Sequence, residues 1–264
     1  MLYPKLYSDL IIAHLSANHG CLCLILFLSA TILLVDVSEE VENDKRFLKN
    51  LIAIMFQKLK PLLQTLGLRK LDPILRYDQL VDFIDTRAAF VSQTTLYTYV
   101  KARAGMQHPK LFDNPDFLTS LRIARWHIYG AAVGDLTLFA GAQINRIGIL
   151  SSEQLHIFCT EMIEGIFAAN PQDDIDPDRF MQICEKGKQR IAFADWPAIE
   201  SGATAFQSSS DAVFKWAPIA DELKVNDEEI VRNSIHLRWI GVRRDMKDLI
   251  RPELIINDWQ RNDI

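Results

Sequence analysis

The chain has 264 residues, of which 49% are hydrophobic and 24% are charged. This balance is enough to bury a sizeable core and argues against wholesale disorder. The formal net charge of −5 argues against a general nucleic-acid-binding protein, which normally carries a basic excess. Four cysteines are too few for a disulfide scaffold, so we expect reduced thiols in an intracellular chain.

The N-terminal part of the chain contains one long uncharged segment. No charged side chain occurs in residues 10–35, and the segment ends in a dense, mostly apolar run over residues 21–35. A helix needs about 20 mainly apolar residues to cross a bilayer, so residues 10–35 are a marginal candidate for a membrane-spanning helix. Three basic residues follow it, Lys45, Arg46 and Lys49, and they would keep the rest of the chain on the cytoplasmic side.

Two other interpretations of this leader remain open. A cleaved signal peptide would account for the apolar run, although the single lysine before it, Lys5, is a thin basic region for such a peptide. Residues 1–54 could instead be an extension without a spanning role, or translated sequence upstream of a true start at Met55. We therefore divide the chain into an apolar leader, residues 1–54, and a body, residues 55–264. We expect the body in the cytoplasm or at the cytoplasmic face of a membrane.

We expect the body to fold without the leader. The apolar residues of the leader form an almost continuous run and not a stripe at intervals of three and four, so a bundle could not bury them on one side. Deleting residues 1–54 should leave a soluble chain whose thermal transition, followed by circular dichroism, is cooperative. Loss of that cooperative transition would show that the leader belongs to the core.

The body is predicted to be all-α, because its apolar residues recur at intervals of three and four and hardly ever alternate. Helix starts are visible in the sequence. Asn114 precedes Pro115 as an N-cap residue precedes a proline in the first turn, and Ser151 with Gln154 forms a capping box. We expect a single-domain, multi-helix bundle with long antiparallel helices. The predicted helices span residues 77–103, 115–146, 151–170, 176–194 and 227–250, with a loop over residues 196–210.

The last long helix is predicted to pack on the core along one side. Its apolar residues follow spacings of three and four, which is typical of a helix with a single buried face. These residues are Val231, Ile235, Trp239, Val242, Met246 and Leu249.

The central predicted helix contains one acid in an apolar stripe. From Phe117 to Ala142, every third or fourth residue on one face is apolar except Asp135. Gly130 and Gly134 form a GxxxG pattern, which in a membrane would mark a close helix contact. An acid near the middle of a membrane span is costly, so we interpret this helix as the buried helix of a bundle. A buried carboxylate then needs a partner or a proton.

Arg87 is the best candidate for that partner. It lies on the preceding helix, and residues 88–100 after it carry no charge. If the two helices pack antiparallel, Arg87 and Asp135 lie at similar distances from the connecting loop, to within about one turn. The pair is then either a structural ion pair or a functional site with a perturbed acid. His127 joins them as a third weak catalytic candidate, although a histidine in the core or on a helix surface is the simpler interpretation.

The sequence offers little support for metal or cofactor chemistry. Glu153 and His156 have the E-x-x-H spacing of di-iron bundles, but those bundles need two such motifs and two further glutamates. Glu161 and Glu164 do not complete the set. The nucleophile motif G-x-S-x-G and the common nucleotide-binding loops do not occur in the sequence. We therefore predict no cofactor and no metal, with Glu153 and His156 as weak metal candidates.

Two segments resemble a family of uncharacterised helical bacterial proteins. They are DFIDTRAAFVSQTTLYTYVKARAG, residues 82–105, and WAPIADELKVNDEEIVRNSI, residues 216–235. The resemblance covers the body from about Met55 and excludes the leader. The family has no known activity, so the resemblance implies a helical fold and no function.

Three functions remain open on the sequence alone. The leading hypothesis is a non-enzymatic interaction or scaffold protein, membrane-associated if residues 10–35 reach a bilayer, with a protein as its expected partner. The alternative is a helical-bundle enzyme with a buried polar site around Asp135, Arg87 and His127, and a metal-binding bundle comes third. An enzyme should show a pocket with convergent polar groups, whereas a scaffold should show an exposed apolar patch or groove.

Overall fold

The computed structural model describes residues 72–170, 174–199 and 204–262. In these residues the chain forms ten α-helices and one short 3-10 turn, and it contains no β-strand. This confirms the predicted all-α, multi-helix bundle. The predictions for the leader, residues 1–54, lie outside the described residues. The helices are α1 (Tyr77–Ala104), α2 (His108–Leu111), α3 (Pro115–Asn145), α4 (Ser152–Ala169), α5 (Pro177–Ala192), α6 (Trp196–Ile199), α7 (Gln207–Trp216), α8 (Asp221–Lys224), α9 (Glu228–Leu249) and α10 (Pro252–Asn262).

Local capping sets the start of two of the long helices, α3 and α4. The side chain of Asn114 accepts hydrogen bonds from the backbone N–H groups of Asp116 and Phe117 at the start of α3. Ser151 and Gln154 form the predicted reciprocal capping box at the start of α4. Such bonds satisfy backbone donors that have no partner within the helix. These boundaries are therefore fixed by residues close to them in sequence.

The central element of the bundle is α3. Nearly every side chain of its second half is buried, on all sides of the helix, because α1, α4, α5, α6 and α7 pack around it. The predicted antiparallel arrangement of α1 and α3 is confirmed by two contacts. Tyr129 donates a hydrogen bond to Asp85 near the start of α1, at 2.5 Å. At the other end of α1, Tyr97 stacks on Phe112, just before α3 begins.

Two glycines of α3 permit this close packing. A Cβ atom on Gly130 would overlap the side chain of Ile183 on α5. A Cβ atom on Gly141 would lie 2.6 Å from the Trp196 ring of α6 and 2.7 Å from the sulfur of Cys159 on α4. Neither glycine has a positive φ, so the reason for glycine here is space and not backbone conformation.

The structure corrects the sequence prediction at two places. The predicted loop 196–210 is wrong in part, because α6 occupies its first four residues and α7 begins at Gln207. Pro197 does not prevent α6, since proline is tolerated in the first turn of a helix. The sequence prediction also placed no helix after residue 250, whereas Pro252 starts a further helix, α10.

None of the helices in the described part of the chain combines the length and the apolar character that crossing a bilayer requires. The membrane candidate, residues 10–35, lies outside the described residues.

Candidate ligand-binding cleft

Asp135 is held at the centre of the bundle by groups from two other helices. Its side chain is fully buried on α3. One carboxylate oxygen lies 2.6 Å from Nη1 of Arg190 on α5, and the other accepts a hydrogen bond from the backbone N–H of Ser209 on α7, at 2.7 Å. Burial raises the pKa of Asp135, and Arg190 and Ser209 act in the opposite direction. One oxygen is therefore paired with a cation and the other accepts a hydrogen bond, and both contacts offset the cost of burying the carboxylate.

This acid is one end of a polar connection through the core. The hydroxyl of Ser209 accepts a hydrogen bond from the indole N–H of Trp239 on α9, at 3.1 Å. Arg190 also donates to the carbonyl of Ala205, at 3.3 Å. The connection thus joins α3, α5, α7 and α9, and its position in the core favours a structural role for Asp135.

The predicted pair of Asp135 with Arg87 is wrong. Arg87 lies on α1 and faces α9, where its guanidinium is 3.7 Å from the carboxylate of Asp245. Burial lowers the pKa of Arg87, and Asp245 opposes that effect. The hydrogen bond of Tyr129 to Asp85 puts Arg87 at about the level of residue 127 of the antiparallel α3. Asp135 is eight residues further along α3, about 12 Å at the rise of an α-helix.

His127 also lies apart from Asp135. Its ring stacks on Trp216 of α7, with ring centres 3.5 Å apart and planes nearly parallel. Burial and the nearby Lys186, Arg179 and Lys215 lower the pKa of His127 to about 4, so the imidazole is uncharged at neutral pH. The three catalytic candidates from the sequence therefore do not form one cluster.

A cleft of about 680 Å³ runs over α3 between α5 and α7. Both helices pack against α3, and α3 forms the floor between them with His127 and Leu138. One wall carries Lys186 and Arg190, and the other carries Lys215 and Trp216. This cleft thus contains one of the three sequence candidates, His127, and reaches a second, Asp135, through Arg190.

The cleft is positively charged on both walls. Lys186 on α5 and Lys215 on α7 are exposed and both line the cleft. Neither forms a salt bridge with any residue that the structure describes. The positive charge of Arg190 is balanced by Asp135. Of the two acids in the lining, Asp211 is paired with Arg232, which leaves Asp195. The two lysines are the cations of this cleft that have no carboxylate partner, and the ammonium group of Lys215 lies 5.5 Å from the centre of the Trp216 ring.

An exposed aromatic ring lies at the end of the cleft. Phe193 follows the last residue of α5 and is 88% exposed. It lines the cleft together with the half-buried Trp216 and the buried Ile183 and Ile199. The cleft therefore combines cationic walls with an apolar interior, and the sequence analysis did not identify this combination. The only sequence signal for it is the spacing of Lys186 and Arg190, four residues apart on one face of a helix.

The metal candidates do not form a site in the described part of the chain. Glu153 is exposed in the first turn of α4, and the His156 ring packs 5.6 Å from the ring of Trp196. No three histidine, cysteine, aspartate or glutamate side chains converge there as ligands of a metal ion. Cys159 is fully buried, and burial raises the pKa of its thiol, which makes it a poor nucleophile.

Comparisons with known proteins assign no role to this cleft. No family model matches the chain, and no curated protein or solved structure matches it.

Proposed function

We propose that this protein is a non-enzymatic binding protein whose cleft takes a small organic anion with an apolar body. The observation that carries the proposal is the pair of lysines without carboxylate partners, Lys186 and Lys215, on opposite walls of one cleft. An anionic group between them, a carboxylate or a phosphate, would receive charge-assisted hydrogen bonds from both sides. The rest of such a ligand would contact Trp216 and Phe193, since binding pockets combine apolar surface with a few placed polar groups.

The surroundings of two of the predicted catalytic residues, Asp135 and His127, favour binding over catalysis. Asp135 is fully buried and its oxygens are already engaged by Arg190 and Ser209, so it does not reach a ligand. His127, with a pKa of about 4, is a weak base, whereas an efficient general base has a pKa near the operating pH. Neither of these two predicted catalytic groups is therefore available in the cleft as an acid or a base.

The interaction protein predicted from the sequence stays a second candidate function. It is supported by the exposed apolar residues on the outer side of α9, which include Ile230 and Leu237. A large exposed apolar patch is typical of a protein–protein contact. This surface is separate from the cleft, so the two functions are compatible.

The binding proposal predicts a charge-dependent loss of affinity in a double lysine variant. Anilinonaphthalene sulfonate is an anion with an apolar body, and phenyl-naphthylamine has the same rings without the sulfonate. We expect Lys186→Gln with Lys215→Gln to weaken sulfonate binding about fivefold, because two exposed contacts contribute roughly 1 kcal/mol together. Binding of the neutral probe should stay unchanged. Both affinities are measured by fluorescence titration of the full chain.

The matched control removes two exposed lysines elsewhere, Lys101→Gln with Lys110→Gln, and should change neither affinity. Phe193→Ala should weaken both probes, because it removes apolar contact and no charge. Equal loss of the charged and the neutral probe in the double lysine variant, or no loss of either, would contradict the proposed anion site.

A further inference from the structure

The outer face of α9 carries exposed apolar side chains in a row. Five of the six residues of the predicted core-facing stripe are buried, and the sixth, Leu249, is half-buried. The five are Val231, Ile235, Trp239, Val242 and Met246. On the opposite side Ile230 is 69% exposed, Leu237 68% and Ile240 57%. With Asn233, Ser234, Gly241 and Arg244 they form what we call the outer face of α9. Ile230 and Leu237 also line a shallow groove of about 540 Å³.

We propose that the outer face of α9 binds the same face of a second copy of this chain. The two α9 helices would run antiparallel about a two-fold axis that passes near Leu237. Such an interface is isologous, which means that each copy contributes the same patch. The inference concerns a surface other than the cleft and does not depend on the proposed ligand.

The steric pattern of the face fits an antiparallel copy of itself. Leu237 lies three residues after Ser234 and four before Gly241, so a two-fold axis near Leu237 sets Ser234 of one copy close to Gly241 of the other. A Cβ atom on Gly241 would meet nothing within 4 Å, and the fold of a single chain therefore does not require glycine there. The absence of a side chain at Gly241 leaves room there for the Ser234 side chain of the other copy and for Arg238, which donates to the hydroxyl of Ser234 at 2.7 Å, with Leu237 packed on its equivalent.

The charges of α9 select the antiparallel direction. Glu229 lies in the first turn of the helix, and Arg244 and Lys247 lie near its end. Glu229 is exposed. The side chain of Arg244 is also exposed, and its one carboxylate neighbour in the described structure is the adjacent Asp245. Glu229 is eight residues before Leu237 and Arg244 is seven after it, so antiparallel pairing brings them together across the interface. Parallel pairing would instead place each charge opposite its own equivalent.

One pair of helices makes a small interface, and we expect a reversible dimer with a dissociation constant in roughly the micromolar range. Sedimentation velocity of the full chain over a concentration series measures it. Leu237→Glu should weaken association by at least about tenfold, because it sets two like charges against each other at the axis. Glu229→Arg and Arg244→Glu should each weaken it about fivefold, and the double variant should return to within about twofold of the original chain.

The matched control is Met181→Glu, which places the same acid at a 59% exposed site on α5 and should leave association unchanged. Circular dichroism checks that each variant is folded, and Leu237 is exposed enough that its replacement should not affect folding. A full chain that stays monomeric overturns the proposal, whether or not the face then binds another protein or a bilayer. Association that survives Leu237→Glu, or two charge variants that do not rescue each other, also overturns it.

Discussion

Replacing Asp135 with alanine is expected to lower the free energy of unfolding by about 3 kcal/mol. Breaking a buried ion pair by removing one partner typically costs about 3–5 kcal/mol. The variant would leave the Arg190 guanidinium and the Ser209 N–H without the acceptor that both contact. The lower end of the range applies because the Arg190 side chain is 28% exposed and can regain some water through the cleft. Urea unfolding followed by circular dichroism measures the change.

The partner of Asp135 is tested by a double-mutant cycle. Arg190→Met should also be severe, whereas Asp135→Ala with Arg190→Met should cost clearly less than the sum of the two single changes, since no charge is then left unpaired. The matched control is Arg87→Met, whose effect should add to that of Asp135→Ala because Arg87 contacts Asp245. Additive costs for Asp135 and Arg190 would contradict the ion pair.

The Arg190→Met variant should also change how the stability of the chain depends on pH. Without Arg190, burial of Asp135 still raises its pKa above the ordinary value of 3.8, and the main opposing charge is gone. A group whose pKa is higher in the folded than in the unfolded chain binds more protons when folded, so its contribution to stability is lost as the pH rises. The deficit of Arg190→Met relative to the original chain should therefore shrink as the pH is lowered towards the ordinary pKa of aspartate.

Gly141→Ala is expected to lower the free energy of unfolding by about 2–3 kcal/mol, a large effect for the addition of one methyl group. In an exposed helix position the same change normally stabilises by roughly 0.5–1 kcal/mol. Here the new Cβ would lie 2.6 Å from the Trp196 ring and 2.7 Å from the sulfur of Cys159. Overpacking of this kind typically costs about 1–3 kcal/mol, and both obstructing groups are buried.

Gly165→Ala is the matched control for this change. Gly165 is exposed on α4, and a Cβ atom there would meet nothing within 4 Å. We expect it to stabilise the chain slightly, so the two alanine variants should shift the thermal transition in opposite directions. If Gly141→Ala stabilised the chain as Gly165→Ala should, α6 would pack less closely on α3 than the structure shows.

The boundaries of the long helices could be predicted because the responsible interactions are local. Asn114 bonds to residues two and three positions away, and Ser151 to a residue three positions away, so the sequence shows both partners together. Pro252 illustrates the limit of this reasoning. A proline ends the helix before it and also suits the first turn of a new one, and local sequence did not decide between a terminus and the start of α10.

The sequence by itself determined that Asp135 is buried, because the other residues on its face of the helix are apolar and such a face packs on the core. It did not determine the partner of that acid. The positions of Arg87 and Asp135 along their helices were compared by counting residues from the loop that connects α1 and α3. The actual register of α1 against α3 is set by contacts such as that of Tyr129 with Asp85. That register leaves Arg87 about two turns away, and the rotation of α3 turns Asp135 towards α5 and α7 instead.

The cleft was decided by tertiary structure alone. Lys186 and Lys215 are ordinary surface lysines in sequence, on helices that are separated by residues 193–206. They line one cleft only because α5 and α7 pack on the same helix, α3, and leave space between them. Local sequence thus fixed which segments are helical and which faces are apolar, since capping and periodicity act over a few residues. Which polar groups meet depends on the register and rotation of packed helices, and those are properties of the whole fold.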